Sequence, residues 1–184
     1  LVSEVGEDLL GQLIEKEILE KKIDCYLFKD LDKKTSLALA FLDERGDADY
    51  SFYKSHWAPS LKQTLKLDFQ IGDVFLYGSL FSIHENSHDW LLQEMKSSGF
   101  ECMNKIFDPN LRKGYLRDID LKTLESRVVK CMSLANLVKA STDDMELLWG
   151  EMPHAVYYEK IKKYCPYLVL TQGSEGLKFF SPDF

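Results

Sequence analysis

From residue 73 onward, short apolar runs alternate with stretches of helical periodicity, a rhythm that few folds accommodate. Residues 73–77 (DVFLY) read as a buried strand closed by Gly78-Ser79, and a helix carrying Trp90, Leu91, Leu92 and Met95 follows. Lys105-Ile106-Phe107 runs as a strand into the turn Asp108-Pro109-Asn110. Leu121, Leu124, Val128, Val129 and Met132 recur at intervals of three and four, the spacing of an amphipathic helix. A strand near Leu137-Val138, a short helix from Asp143, a helix over 156–161 and a strand over 167–170 continue the series, with 176–180 as a last strand. Strand and helix in alternation pack as layers around a mainly parallel sheet, so the fold class is α/β.

The first third of the chain departs from this rhythm. Leu9, Leu10, Leu13, Ile14 and Ile18 share one helical face over 8–20, with Asp8 as the N-cap. Residues 25–28 form a short aromatic strand. Residues 35–42 (TSLALAFL), the turn Glu44-Arg45-Gly46-Asp47 and residues 50–53 read as a β-hairpin that covers one edge of the sheet. No repeat, low-complexity tract or Pro/Gly/Ser linker divides the chain, and 184 residues fit a single domain.

Charge narrows the partners. Twenty-three Lys+Arg against 30 Asp+Glu leave a net charge of −7, whereas nucleic acid and anionic membranes select basic faces. Neither is expected as a partner, although a small basic pocket for a phosphorylated ligand is compatible with that balance. No run approaches the about 18 apolar residues of a membrane span. The four cysteines, Cys25, Cys102, Cys131 and Cys165, lack C-x-x-C spacing, which argues against a zinc ribbon and for free thiols in a reducing cytoplasm.

His84-Glu85-Asn86-Ser87-His88 matches H-E-x-x-H. On a helix that spacing sets two imidazoles on one face for zinc, with the glutamate polarising a bound water. Asn86 and Ser87 are capping residue types, however, and apolar periodicity starts only at Trp90, so the helix is expected to begin inside the motif and leave His84 in a loop. A zinc metallohydrolase on His84, Glu85 and His88 is the weakest of three readings.

In open α/β sheets, ligands sit beyond the carboxyl ends of the strands. Those positions hold Gly78-Ser79, then Asp108-Pro109-Asn110-Leu111-Arg112, then Lys139 through Asp144, then Thr171-Gln172-Gly173-Ser174-Glu175-Gly176. One edge thus gathers backbone amides, hydroxyls, Arg112, Lys139 and carboxylates, chemistry suited to phosphate and a divalent cation.

These segments, in this order, resemble the ribokinase/fructokinase (PfkB-type) carbohydrate kinases. Val5-Gly6-Glu7-Asp8-Leu9-Leu10-Gly11 resembles the family's V-G-x-D-x-x-G, and residues 35–54 its sugar-side hairpin. Asp108 through Arg112 is similar to the D-P-N-x-R of fructokinase-like members. Residues 138–150 resemble V-K-x-S-x-x-E-x-x-x-L-x-G, and residues 171–176 the T-x-G-x-x-G nucleotide loop.

The resemblance implies a ribokinase-like domain over 1–184, with a lid-like β element at about 24–54 whose exposed edge offers a homodimer surface. It implies a cytoplasmic kinase that uses ATP and Mg2+ to phosphorylate a sugar or sugar acid. Tyr53, Asn110 and Arg112 would contact substrate; Lys139, Thr171, Gly173, Ser174 and Gly176 would contact nucleotide; Ser141 and Asp144 would serve the metal indirectly. Asp144 stands where the family usually has Glu, and Lys54 where many members have Arg. No G-A-G-D motif is present, so the catalytic base is expected after Phe184, and the Asp-bearing strand and Gly-Gly/Asn segment that grip the sugar are expected before Leu1. Without a base, a non-catalytic kinase-fold binding or scaffold protein is the second reading.

Overall fold

The structure, a computed structural model, describes residues 1–30, 33–42, 44, 48–53, 69–96, 99–112 and 119–183. The chain divides into two compact units, Leu1–Gln63 and Thr64–Phe184.

The first unit opens with β1 (Val2–Gly6), α1 (Leu9–Glu20) and β2 (Tyr26–Asp30). β1 and β2 pair in parallel from Val2↔Tyr26 to Gly6↔Asp30. α1 starts where expected: Asp8 is extended (φ −140°), and its carboxylate accepts from the Gly11 amide at 2.9 Å. Much of its apolar face stays exposed, Leu9 at 77% and Leu13 at 61%. β1 was not anticipated, because one Val-Gly pair amid charges carries little strand signal.

Backbone proximity explains the two glycines of V-G-x-D-x-x-G. A Cβ on Gly6 would run into the Lys33 carbonyl and the Thr35 amide, and one on Gly11 would land on the Gly6 carbonyl. Thr35 closes this seam. Its Oγ1 accepts from the Gly6 amide at 3.0 Å and donates to Asp8 Oδ1 at 2.7 Å, while its amide donates to Asp8 Oδ2 at 2.8 Å.

β3 (Leu37–Leu42) and β4 (Ala48–Tyr53) form the antiparallel hairpin, in register from Leu37↔Tyr53 to Leu42↔Ala48. Of the anticipated turn, Arg45, Gly46 and Asp47 lie outside the described residues, as does Lys54. The strand at 26–30 belongs to the β1 sheet, so the β element proposed at about 24–54 is built from two separate sheets.

The second unit is the α/β rhythm. β5 (Val74–Gly78), β6 (Asn104–Asp108), β7 (Leu137–Ser141) and β8 (Leu168–Thr171) are parallel neighbours in chain order, and β9 (Leu177–Phe180) runs antiparallel beside β8. α2 (Ser79–Ile83), α3 (Glu85–Glu94), α4 (Leu121–Leu134), α5 (Thr142–Trp149) and α6 (His154–Ile161) complete it. α2 packs on β5, α4 on β6, α5 on β7 and α6 on β8, so one sheet face carries the core.

That core is Phe107, Leu124, Val128, Met132, Val138, Ala140, Met145, Ile161, Leu168 and Leu170, all fully buried. α3 begins five residues before the first large apolar side chain. Its opening turn buries the polar Ser87 and His88, which erase the apolar period. Cys131 and Cys165 are buried, and burial pushes the Cys131 thiol up to about 12. Cys25 and Cys102 are exposed. No helix among the described residues is long and apolar enough to cross a membrane.

Candidate active site

Side chains alternate along a strand, and the strand registers set Asp108, Lys139, Ser141 and Thr171 on the sheet face opposite the helical core, at its carboxyl edge. Lys139 Nζ meets Asp108 Oδ2 at 3.0 Å, with both side chains partly exposed. The other oxygen of Asp108 is buried without a hydrogen-bond partner among the described residues. Gly78 lies against Asp108 so closely that a Cβ there would collide with the Asp108 carbonyl.

Strain gathers at the same edge. Ser79 (φ 53°) follows β5 and Asn110 (φ 41°) follows β6, both in the left-handed region that side-chain-bearing residues seldom adopt. Leu111 is 3% exposed. Its amide donates to Asp144 Oδ1 at 2.6 Å, while Arg112, the next residue, is exposed.

Ser141 caps α5. Its hydroxyl accepts from the Asp144 amide at 3.1 Å, and Asp144 Oδ2 in return accepts from the Ser141 amide and hydroxyl, both at 2.8 Å. This is a reciprocal capping box. Both oxygens of Asp144 are therefore engaged, at 3% exposure.

Thr171 ends β8 and donates its hydroxyl to the Ala140 carbonyl at 3.4 Å. The following loop is a tight turn at the β8–β9 hairpin, closed by the Gln172 amide on the Gly176 carbonyl at 2.8 Å. Gly173 (φ 56°) and Gly176 (φ 91°) supply its left-handed positions, and open space surrounds both.

A profile described as pfkB family carbohydrate kinase matches residues 1–184. The chain belongs to the pfkB family of carbohydrate kinases. It is 27% identical over 180 residues to a fructokinase of Vibrio alginolyticus, covering 94% of this chain and 57% of that protein. It is 25% identical to a probable chloroplastic fructokinase-6 of Arabidopsis thaliana, covering all of this chain and 49% of the relative. The chain thus spans about half the length of the curated relatives it matches. The crystal structure of a Vibrio cholerae fructokinase in its fructose-, ADP- and calcium-bound form superposes with a TM-score of 0.78 at 25% identity, over 98% of this chain and 59% of that one. The fold is ribokinase-like, a mostly parallel sheet with flanking helices.

Of the pfkB residues singled out from sequence, Asn110, Arg112, Asp144, Gly173, Ser174 and Gly176 follow strands and Ser141 and Thr171 end them at the one carboxyl edge, whereas Lys139, expected to follow a strand ending at Val138, lies inside β7, which runs on to Ser141. Tyr53 belongs to the first unit, at the end of β4, opposite Leu37 and 57% exposed. Two contributors escaped the sequence reading, Asp108 as the partner of Lys139 and the Leu111 amide as the partner of Asp144. The first was legible in principle, since alternation along adjacent parallel strands sets Asp108 and Lys139 side by side on one face. The second was not, because a backbone amide has no letter of its own.

The donor set accommodates the groups that a pfkB kinase uses to different degrees. The open loop at Gly173–Gly176 leaves its backbone approachable by a nucleotide. Direct ligation of Mg2+ by Ser141 and Asp144 does not fit, because the carboxylate already accepts three hydrogen bonds and the serine hydroxyl is spent in the capping box. Only a hydrated ion, reached through water, suits them.

The H-E-x-x-H match does not form a helical histidine pair. His84 is the extended N-cap residue of α3 (φ −72°, ψ 138°), as anticipated, although Asn86 and Ser87 lie inside the first turn and do not cap it. His88 Nδ1 donates to the Ser82 carbonyl at 2.7 Å, and burial holds the imidazole below its usual range. Among the described residues, no group of three or more His, Cys, Asp or Glu is placed to hold a metal ion.

Proposed function

We propose that the protein carrying this chain transfers the γ-phosphoryl group of ATP to a hydroxyl of a sugar or sugar acid, with fructose the favoured acceptor. The observation that carries this reading is the pfkB match over residues 1–184, joined to a polar row, Asp108, Lys139, Ser141 and Thr171, on the sheet's carboxyl edge. The Vibrio cholerae relative holding fructose and ADP supports both substrates.

Phosphoryl transfer rests mostly on positioning and electrostatics. Asn110 and Arg112 would orient the acceptor and the transferred group from the strained turn after β6, with Tyr53 on the sugar side. Lys139, held by Asp108, would direct its ammonium toward the nucleotide phosphates. Thr171, Gly173, Ser174 and Gly176 would line the nucleotide through backbone and hydroxyl groups. Ser141 and Asp144 serve the metal only indirectly, and Mg2+, when bound, neutralises phosphate charge. No residue of this chain is assigned as the general base. The domain is read as one ribokinase-like unit with the β3–β4 hairpin as its lid and as a surface for pairing with a second copy. A cytoplasmic location is part of the same proposal, in keeping with four free cysteines.

The test is a sugar panel with Mg-ATP on the protein carrying this chain. Transfer to fructose is expected, and Arg112→Ala should lower kcat/KM at least tenfold, about 1.4 kcal/mol. Unchanged kinetics would remove Arg112 from the site. Nucleotide or sugar binding without transfer would favour the second reading, a non-catalytic kinase-fold protein, to which the engaged Asp144 carboxylate lends support.

A further inference from the structure

The turn after β6 is fixed at both ends. At Asp108 it is held by Lys139, 3.0 Å away. At Leu111 it is held by Asp144, which lies 33 residues further along and reaches back from the first turn of α5. Between these fixtures sits Asn110 in its left-handed conformation, and immediately after them comes Arg112. A carboxylate 3% exposed, accepting two backbone amides and one hydroxyl, is a mechanical connection between two loops. At the start of α5 it accepts from the Ser141 amide, while the Ser141 hydroxyl accepts from the Asp144 amide, so the capping box is closed from within the protein.

We propose that Asp144 is a positioning residue: it latches the Asp108–Arg112 turn to the N-terminus of α5, and through Leu111 it sets where Asn110 and Arg112 present their polar groups to an anionic substrate. Its main influence on the site passes through the turn and not through direct ligation of a metal. The consequence for transfer rests on the kinase reading above; the latch itself does not. Three donors converge on one carboxylate, so no single-acceptor side chain replaces it. The asparagine amide of Asp144→Asn has one acceptor oxygen, and it satisfies either Leu111 or Ser141 but turns an NH2 group toward the other donor.

The test begins with amide hydrogen exchange on the protein carrying this chain, with neither nucleotide nor metal added. Asp144→Ala should accelerate exchange across 110–112 at least tenfold, while 124–132 in α4 changes less than twofold. Asp144→Asn should fall between wild type and alanine, and it carries the test should the alanine variant not fold. In the kinetic arm, Asp144→Ala should lower kcat/KM at least tenfold, adding Arg112→Ala should cost less than a further twofold, and a tenfold rise in Mg2+ should restore nothing. Unchanged exchange at Leu111 overturns the latch, and so does recovery at high Mg2+. A wild-type protein that transfers no phosphoryl group would overturn the kinase reading instead, leaving the exchange arm to decide the latch.

Discussion

Each unit of this molecule contains an aspartate that caps a helix and also grips a distant piece of backbone. In the first, Asp8 opens α1 and holds both the amide and the hydroxyl of Thr35. In the second, Asp144 closes the capping box of α5 and holds the amide of Leu111. The chemistry is nearly the same, but the surroundings differ. Asp8 sits where water reaches it, and hydrogen bonds from Gly11 and Thr35 hold its carboxyl at about 2. Asp144 is enclosed, and its partner residue Leu111 is buried with it. The half-buried clamp on Thr35 yields part of its bonding to water when broken, whereas the enclosed one leaves the buried Leu111 amide orphaned.

That contrast can be broken by substitution. Asp144→Ala strands the buried Leu111 amide and two half-buried donors of Ser141, at about 1–3 kcal/mol for a buried one, and we expect about 3 kcal/mol of lost stability in the second unit. Hydrogen exchange of residues 104–108 and 137–141 under denaturant would measure it. Gly6→Ala should cost the first unit about 2 kcal/mol, because the new methyl group must displace the backbone at Lys33 and Thr35. Exchange at residues 2–6 and 26–30 is the corresponding readout. Asp8→Ala should weaken the same region by less than Asp144→Ala weakens its own; equal losses would show that burial does not distinguish the two clamps.

Acid sharpens the comparison and carries the smallest effect. His88 is buried in its neutral form, its imidazole lowered below 6.5 chiefly by burial. Its contribution is fully present above that value and is lost as pH falls through the lowered one, because the unfolded chain takes up the proton more readily. The contribution of Asp8 persists above its ordinary 3.8 and is lost only toward a pH of about 2. On acidification from neutrality, the second unit should therefore loosen before the first. His88→Asn, which keeps a donor for Ser82, should flatten that slope in unfolding measured at pH 7.5 and 5.5.

How far the letters of the chain reveal this molecule depends on the range of the interaction. Patterns confined to one element were readable: Asp8 as a cap, the Leu121–Leu134 helix, and the strands through Phe107, Val138 and Leu170, which the structure extends to Asp108, Ser141 and Thr171. α2 was not, because Ser82 places a polar letter at a buried position; α3 does begin inside H-E-x-x-H as expected, although Ser87 and His88 are buried in its first turn. The edge that gathers Asn110, Arg112, Lys139 and Thr171 was legible because parallel strands deliver their ends to one side. The grip of Asp144 on Leu111 spans a whole β–α–β crossover and ends on a backbone group, so no periodicity records it.

The distribution of thiols has a practical consequence. Thiolates, not thiols, react with alkylating dyes, and Cys131 and Cys165 are enclosed, the former with its titration pushed up to about 12. Cys25 in the first unit and Cys102 in the second are open. At neutral pH a maleimide reagent should therefore mark two places, one per unit. Each unit thus carries its own native handle for a fluorescent label, so the local environment of either can be followed without adding a cysteine.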